Sequence, residues 1–340
     1  MRLLLLAVCA AAAPAAALEA ERAGAEQGFA AAQGLLITPF AVHHRPTPSA
    51  PTPPQVCSGL DFKGVTWPPS MSREDELALE LALNISGSYE GADGWANLTG
   101  NFDGQGVSLG LLNQNLGQGS LQPLLIKLWQ SHPEVARSIL APDHLQSMTE
   151  MLQLWQGTPV PGGPSAGPSS RIDEPPPGAQ SMGGRESTSV AWAVRSLYAG
   201  EHFDPVWKAE LTALASHPDF VSIQIAAALD LHSQALNDER RIGVRELRAY
   251  LMMFDVAVQN GGFYPDDVSD YAAYVRGAPH ATSSQKLEVL LSLRLRHVRS
   301  RFVADVRSRK RAIIRGKGVV HGEVRDLPAQ YCYDGAWPYK

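Results

Sequence analysis

The sequence GSYEGADGWANLTGNFDGQGVSLG, residues 87–110, decides the fold because it interrupts an otherwise helical pattern. Glycine recurs at short intervals within it, and Asn, Thr, Val and Ser lie between the glycines. Such a mixture is typical of tight turns and short strands and is unfavourable for a helix. We therefore predict a small β-hairpin or sheet from Trp95 to Leu112 in a mainly α chain of the α+β class.

The residues before this stretch predict a helix that begins after Ser72. Ser72 and Asp75 have the spacing of a capping box, and apolar residues follow at i, i+4 spacing. We expect this helix to fray near Gly87, which places Glu90 just beyond its C-terminal end. Apolar periodicity predicts further helices at 121–130, 133–140, 143–156, 190–198, 205–216, 219–236 and 244–259. A last long helix is expected to carry one apolar stripe from Leu287 to Val306.

Composition divides the chain into an exported leader and one folded domain. Residues 1–17 combine one basic residue, an apolar run and small residues, which predicts a signal peptide, with an uncleaved membrane anchor as the alternative. Residues 18–56 are Ala- and Pro-rich and predict a flexible leader. The remaining residues, 57–340, are expected to form one domain with a Pro/Gly-rich inserted loop at 157–184. The expected location is secreted or periplasmic, without a stable membrane anchor.

Three cysteines and ten histidines bear on cross-links and metals. Cleavage of a signal peptide would remove Cys9 and leave Cys57 and Cys332 as a disulfide candidate, or as two free thiols. No Cys-x-x-Cys or His-x-x-x-His spacing occurs, so neither a metal nor another cofactor is expected. An exported chain of net charge -5 is a poor match for nucleic acid, and we expect a soluble monomer.

Two acids in the opening stretch have environments that suit different roles. Glu90 follows Tyr89 near a helix C-terminus, and both a dry wall and that terminus disfavour the ionised carboxyl. Asp103 lies among backbone amides of glycines, which favour a charged carboxylate. One acid that donates a proton and one base that activates water are the minimum equipment for hydrolysing a glycosidic bond. The alternatives are a turn aspartate and a surface glutamate, with Asp93 and Glu80 as other nearby acids.

The segment DGQGVSLG, residues 103–110, resembles the Asp-Gly-x-Gly-x-Thr/Ser-x-Gly signature of the chitosanase family of glycoside hydrolases. This resemblance implies a lysozyme-like fold, with Glu90 as general acid, Asp103 as base and Ser108 as the hydroxyl that helps orient water. Two weaker similarities lie at 254–262 and 320–327. The spacing of 13 positions between the acids is shorter than expected for chitosanases, and the Pro-rich insertion is foreign to them. The polymer is therefore left open between chitosan and peptidoglycan.

Polar side chains near these motifs are candidates for binding a sugar polymer. Amides and hydroxyls pair well with the hydroxyl and acetamido groups of carbohydrates. The candidates are Tyr89, Gln105, Ser108, Gln114, Asn115, Gln259, Asn260 and His321. Basic residues are dense from Lys286 to Lys317, which suits either an anionic polymer or a solvated helix.

One rival motif overlaps the signature. Residues 106–110 match the Gly-x-Ser-x-Gly elbow of serine hydrolases, which needs a helix directly after the serine. The Asn- and Gly-rich continuation is a poor helix start. The two acids and the resemblance to chitosanases together imply an exported glycoside hydrolase that cleaves β-1,4 bonds of an amino-sugar polymer. Inversion at the anomeric carbon is expected if the two carboxyls stand well beyond the ~5 Å of retaining enzymes. The alternative is a non-catalytic cell-wall glycan-binding protein that keeps a lysozyme-like cleft.

Overall fold

The computed structural model describes residues 57, 59–62, 65, 67–157 and 185–340. The predicted signal peptide, the leader and nearly all of the 157–184 insertion lie outside these residues. The helices are α1 Arg73–Glu90, α2 Leu121–Ser131, α3 Pro133–Ile139, α4 Pro142–Gly157, α5 Arg185–Ser196, α6 Pro205–Ser216, α7 Pro218–Ile242, α8 Leu247–Asn260, α9 Pro265–Gly277, α10 Ser283–Arg294, α11 Val303–Arg315 and α12 Leu327–Tyr331. The strands are β1 Leu98–Thr99, β2 Ser108–Leu109, β3 Gln114–Asn115, β4 Tyr198–Ala199, β5 His202–Phe203, β6 Lys317–Val320 and β7 Glu323–Asp326. The predicted class, mainly α with small β elements, is confirmed.

Helix α1 begins as predicted and ends later than predicted. The hydroxyl of Ser72 accepts a hydrogen bond from the backbone N–H of Asp75 at 3.1 Å. The helix continues through Gly87, so the expectation that it frays there was wrong. A Cβ at Gly87 would lie 2.4 Å from the side chain of Leu111. Glycine at this position permits close packing against the sheet segment and does not end the helix. Glu90 is consequently the last residue of α1.

The predicted β element is a three-stranded antiparallel sheet of order β1-β2-β3. Ser108 pairs with Thr99 on one side and with Asn115 on the other. A strand and turns follow Ser108 where a serine hydrolase needs a helix, and Ser108 itself is buried. The nucleophile-elbow alternative is therefore excluded.

Two hydrophobic cores share the long helix α7. Its N-terminal part contributes Phe220 and Ile223 to a core built with α2–α6 and the sheet. Its C-terminal part contributes Ala228 and Ala235 to a second core around α1 and α8. Helix α8 is buried on almost all sides within this second core. One continuous helix thus fixes the two cores relative to each other.

The apolar stripe from Leu287 to Val306 does not form one helix, so that prediction was wrong. The chain leaves α10 at Arg294, makes 3₁₀ turns at 295–297 and 300–302, and enters α11. The guanidinium of Arg294 is buried and donates to the carbonyls of Gly262 and Asn260 at 2.7 and 2.9 Å. These bonds fasten the end of α10 to the end of α8, and the chain changes direction after them.

The carboxyl-terminal part is joined to the beginning of the described chain. Cys57 and Cys332 form a disulfide with a Cα–Cα distance of 5.5 Å. Hairpin β6-β7 and the short helix α12 precede Cys332 and pack near the end of α1. Within the described ranges, each helix is too short or too polar to cross a membrane.

Candidate active site

Glu90 lies on the wall of a surface groove of about 920 Å³. The end of α1 and the turn after it form one side of the groove, and the β6-β7 hairpin and α12 form the other. Its charged or titratable lining side chains are Glu90, Asp93, His321, Glu323 and Arg325, besides the phenols of Tyr89 and Tyr331. Acids outnumber bases on this lining, which suits a polar or cationic ligand.

The carboxylate of Glu90 is held at both oxygens. Nη1 of Arg309 donates to one oxygen at 2.7 Å, and Nδ2 of Asn113 donates to the other at 3.3 Å. The side chain of Glu90 is only 10% exposed. Amide groups of Asn113 and Asn97 also donate to the backbone carbonyl of Glu90, at 3.1 and 3.3 Å. The sheet segment therefore fixes both the end of α1 and the orientation of its last side chain.

Arg309 connects Glu90 to a second, fully buried acid. Nη2 of Arg309 donates to Asp255 on α8 at 2.6 Å, and Nζ of Lys310 lies 2.7 Å from the other oxygen of Asp255. Burial disfavours the charge of Asp255, but the two cations outweigh it and hold the pKa of Asp255 well below its usual value. Burial lowers the pKa of Lys310 to about 8 against the attraction of Asp255. Burial also opposes the charge of Arg309, whose pKa is nevertheless raised by Asp255 and Glu90.

The network continues from Lys310 to the opposite side of the groove. Lys310 donates to the side-chain oxygen of Gln259, and Nε2 of Gln259 donates to Asp305 at 2.6 Å. The other oxygen of Asp305 lies 2.7 Å from Nε2 of His321, which lines the groove. The chain of contacts thus links His321 to Glu90 through the protein interior.

Some residues of this network were predicted from the sequence, and others were not. Glu90, Gln259 and His321 were candidates, whereas Arg309 and Asp255 were not. A signal was present, because Asp255 is the one charge within the apolar run 249–258 of α8. Burial of such a helix requires a partner for the charge. The sequence does not show which of the many arginines supplies it.

Asp103 is not among the described residues that line the groove containing Glu90. It ends the 3₁₀ turn 101–103 between β1 and β2, and its carboxylate accepts from the backbone N–H of Gln105 at 3.2 Å. Burial, with a smaller contribution from the charge of Asp103, raises the pKa of Tyr198. Among the described lining residues of the groove, Asp93 is the acid next to Glu90 in the chain, and its side chain is exposed.

Several predicted sugar-binding residues are instead buried in the protein. Ser108, Asn115 and Asn260 are almost completely inaccessible, and Gln105 is buried as well. The amide of Asn115 donates to the side chain of Gln118 and accepts from its backbone N–H, at 2.7 and 2.8 Å. They lie on strands, in a turn and at a helix end, and they are not among the described residues that line the groove. Gln114 is half-buried on β3.

Tyr89 forms a dry part of the site. Its ring is buried, with the guanidinium groups of Arg309 and Arg325 at 5.1 and 5.4 Å from its centroid. Burial and the charge of Asp255 raise the pKa of its hydroxyl far above the usual value, although both arginines oppose this shift. Arg325 itself donates to Ser88 at 2.6 Å and to Glu323 at 3.2 Å. The wall beside Glu90 therefore contains a buried aromatic ring that contacts two paired guanidinium groups.

Comparison with known proteins gives distant similarity to solved structures. No family model matches the sequence, and no curated protein matches it. Among solved structures, the fold is similar to that of a GH46 chitosanase from Gynuella sunshinyii in complex with chitotetraose, with a TM-score of 0.46 and 14% sequence identity. The match covers 75% of this chain and 98% of the chitosanase. At this TM-score and identity, the similarity does not argue for a shared activity.

Proposed function

We propose that this protein is an exported, lysozyme-like glycoside hydrolase that cleaves β-1,4 bonds in an amino-sugar polymer, chitosan or peptidoglycan. The observation that carries the proposal is the position of Glu90. Its nearly buried carboxylate ends a helix at the wall of a polar groove and is fixed by Arg309 and Asn113. Positioned carboxyls of this kind are the acid catalysts of glycosidases.

Glu90 acts in this proposal as the general acid. It donates its proton to the oxygen of the scissile bond as the leaving sugar departs. The carboxylate that remains is stabilised by Arg309, whose guanidinium already contacts the Glu90 oxygen at 2.7 Å. Asp103 is the proposed base for water, and inversion follows if its carboxyl stands well beyond the ~5 Å separation typical of retaining enzymes. Asp93 is the competing base, because it lines the same groove as Glu90.

The test is product release from chitosan and from peptidoglycan by four variants beside the wild type. Glu90→Gln is expected to lose activity by roughly 10²–10⁴-fold, the usual contribution of a general acid. Either Asp103→Asn or Asp93→Asn should produce a comparable loss and so identify the base. Glu201→Gln is the matched control, because Glu201 is exposed on the turn between β4 and β5. Undiminished hydrolysis by Glu90→Gln would refute the proposal.

A non-catalytic glycan-binding role is the second candidate, and the placement of Asp103 favours it. The base that the resemblance assigns is not among the groove residues. Co-sedimentation with insoluble chitosan and peptidoglycan, run beside the product assay, separates the two functions. Binding without product by the wild type, weakened in Glu90→Gln, would identify a binding protein.

A further inference from the structure

A four-residue motif, Ser-His-Pro-acid, occurs twice in the chain, and the fold brings the two copies together. The first copy is residues 131–134 and the second is residues 216–219. Each proline is the first residue of a helix, α3 in one case and α7 in the other. Nδ1 of His132 lies 3.7 Å from Glu134 and 3.6 Å from Asp219. The three ligand atoms all lie within 4.8 Å of one another.

The distances in this cluster suit a shared ion better than direct hydrogen bonds. An N–H···O bond is about 2.7–3.2 Å long, so neither contact of His132 qualifies. Two ligand atoms of a tetrahedral Zn²⁺, each about 2.0–2.2 Å from the metal, lie roughly 3.3–3.6 Å apart. The two separations from His132, 3.7 and 3.6 Å, lie close to this range.

The charges around the cluster also favour a bound cation. Within the described part of the chain, the carboxylates of Glu134 and Asp219 have no lysine or arginine partner. A second His-and-carboxylate group, Asp266, Asp267 and His297, is different, because Arg296 pairs with both acids, at 3.7 Å from Asp266 and 3.3 Å from Asp267. Helix N-termini favour the two carboxylates at the first cluster, but they do not explain an imidazole that faces both of them.

We propose that His132, Glu134 and Asp219 bind a divalent transition-metal ion of the Zn²⁺ class. One imidazole with two carboxylates is a donor set for zinc, whereas Ca²⁺ and Mg²⁺ prefer oxygen alone. Water takes the fourth position. Nδ1 of His217 also lies 3.6 Å from Asp219, but it faces the backbone N–H of Asp219 at the start of α7, so we leave it outside the ligand set. The ion ties the junction of α2 and α3 to the start of α7, a structural role that is independent of Glu90.

The experiment titrates Zn²⁺ and Co²⁺ into the metal-free, untagged full chain. Calorimetry is expected to show a Zn²⁺ site that His132→Ala and Glu134→Gln each weaken at least about tenfold, as loss of a ligand should. Co²⁺ should give the visible absorption of a tetrahedral ion in the wild type and not in these variants. His202→Ala, an exposed histidine on β5, is the matched control and should bind as the wild type does.

Glu134→Gln also serves as a control against misfolding. Glu134 is 67% exposed, so its replacement by glutamine should leave the packing of the protein intact. Zn²⁺ should raise the melting temperature of the wild type and have no such effect on Glu134→Gln. Equal Zn²⁺ affinity of the wild type and both ligand variants would overturn the proposal. So would an absence of saturable binding.

Discussion

Glu239 on α7 gives a stability prediction whose size follows from the structure. Its side chain is 3% exposed, and within the described residues neither carboxyl oxygen has a hydrogen-bond partner. Burial raises the pKa of Glu239 from 4.5 to about 8, although Lys340 and Arg245 pull it down. The folded protein therefore holds a neutral carboxyl at neutral pH.

The consequence for stability follows from proton linkage. Between pH 4.5 and 8 the folded state binds more protons at Glu239 than the unfolded state, so stability falls as pH rises through this window. The contribution is fully present below pH 4.5. At about 1.4 kcal/mol per pH unit, the loss reaches roughly 3 kcal/mol at pH 7. Glu239→Gln removes this loss, because the amide is neutral at every pH.

Denaturant unfolding at pH 4.5 and pH 7 tests the prediction. Relative to wild type, Glu239→Gln is expected to be more stable by up to about 3 kcal/mol at pH 7 and by close to zero at pH 4.5. The exposed Glu201→Gln should show no difference at either pH. An equal gain at both values, or no gain at pH 7, would show that Glu239 is not held neutral by burial.

Three further perturbations test the network, the disulfide and the packing of α1. Arg309→Ala leaves two carboxylates without their guanidinium and is expected to lose about 3–5 kcal/mol by denaturant unfolding, whereas the exposed Arg307→Ala should change less than about 0.5 kcal/mol. Cys57→Ser should lower stability by about 2–5 kcal/mol under non-reducing conditions, and a reducing agent should abolish the difference from wild type. Gly87→Ala should cost about 1–3 kcal/mol because its Cβ meets Leu111, and an unchanged melting temperature would contradict the close packing.

Local features of the sequence were enough to predict the first helix and the β element. The cap at Ser72 and the glycine pattern after Glu90 act over a few residues, so they can be read directly. The end of α1 could not be read, because Gly87 is kept helical by Leu111, a residue of another segment. The partner of Glu90 could not be predicted either, because Arg309 lies 219 positions away in the chain. Contacts between distant segments leave no local periodicity.

The contacts of Arg309 determine what a substitution of Glu90 can reveal. A buried guanidinium needs a counter-ion, and Asp255 supplies one that is independent of Glu90. Glu90→Gln therefore removes one charge and leaves Arg309 paired with Asp255 in the interior. Loss of activity in Glu90→Gln would thus report on the Glu90 carboxyl itself and not on a collapse of the network around Arg309.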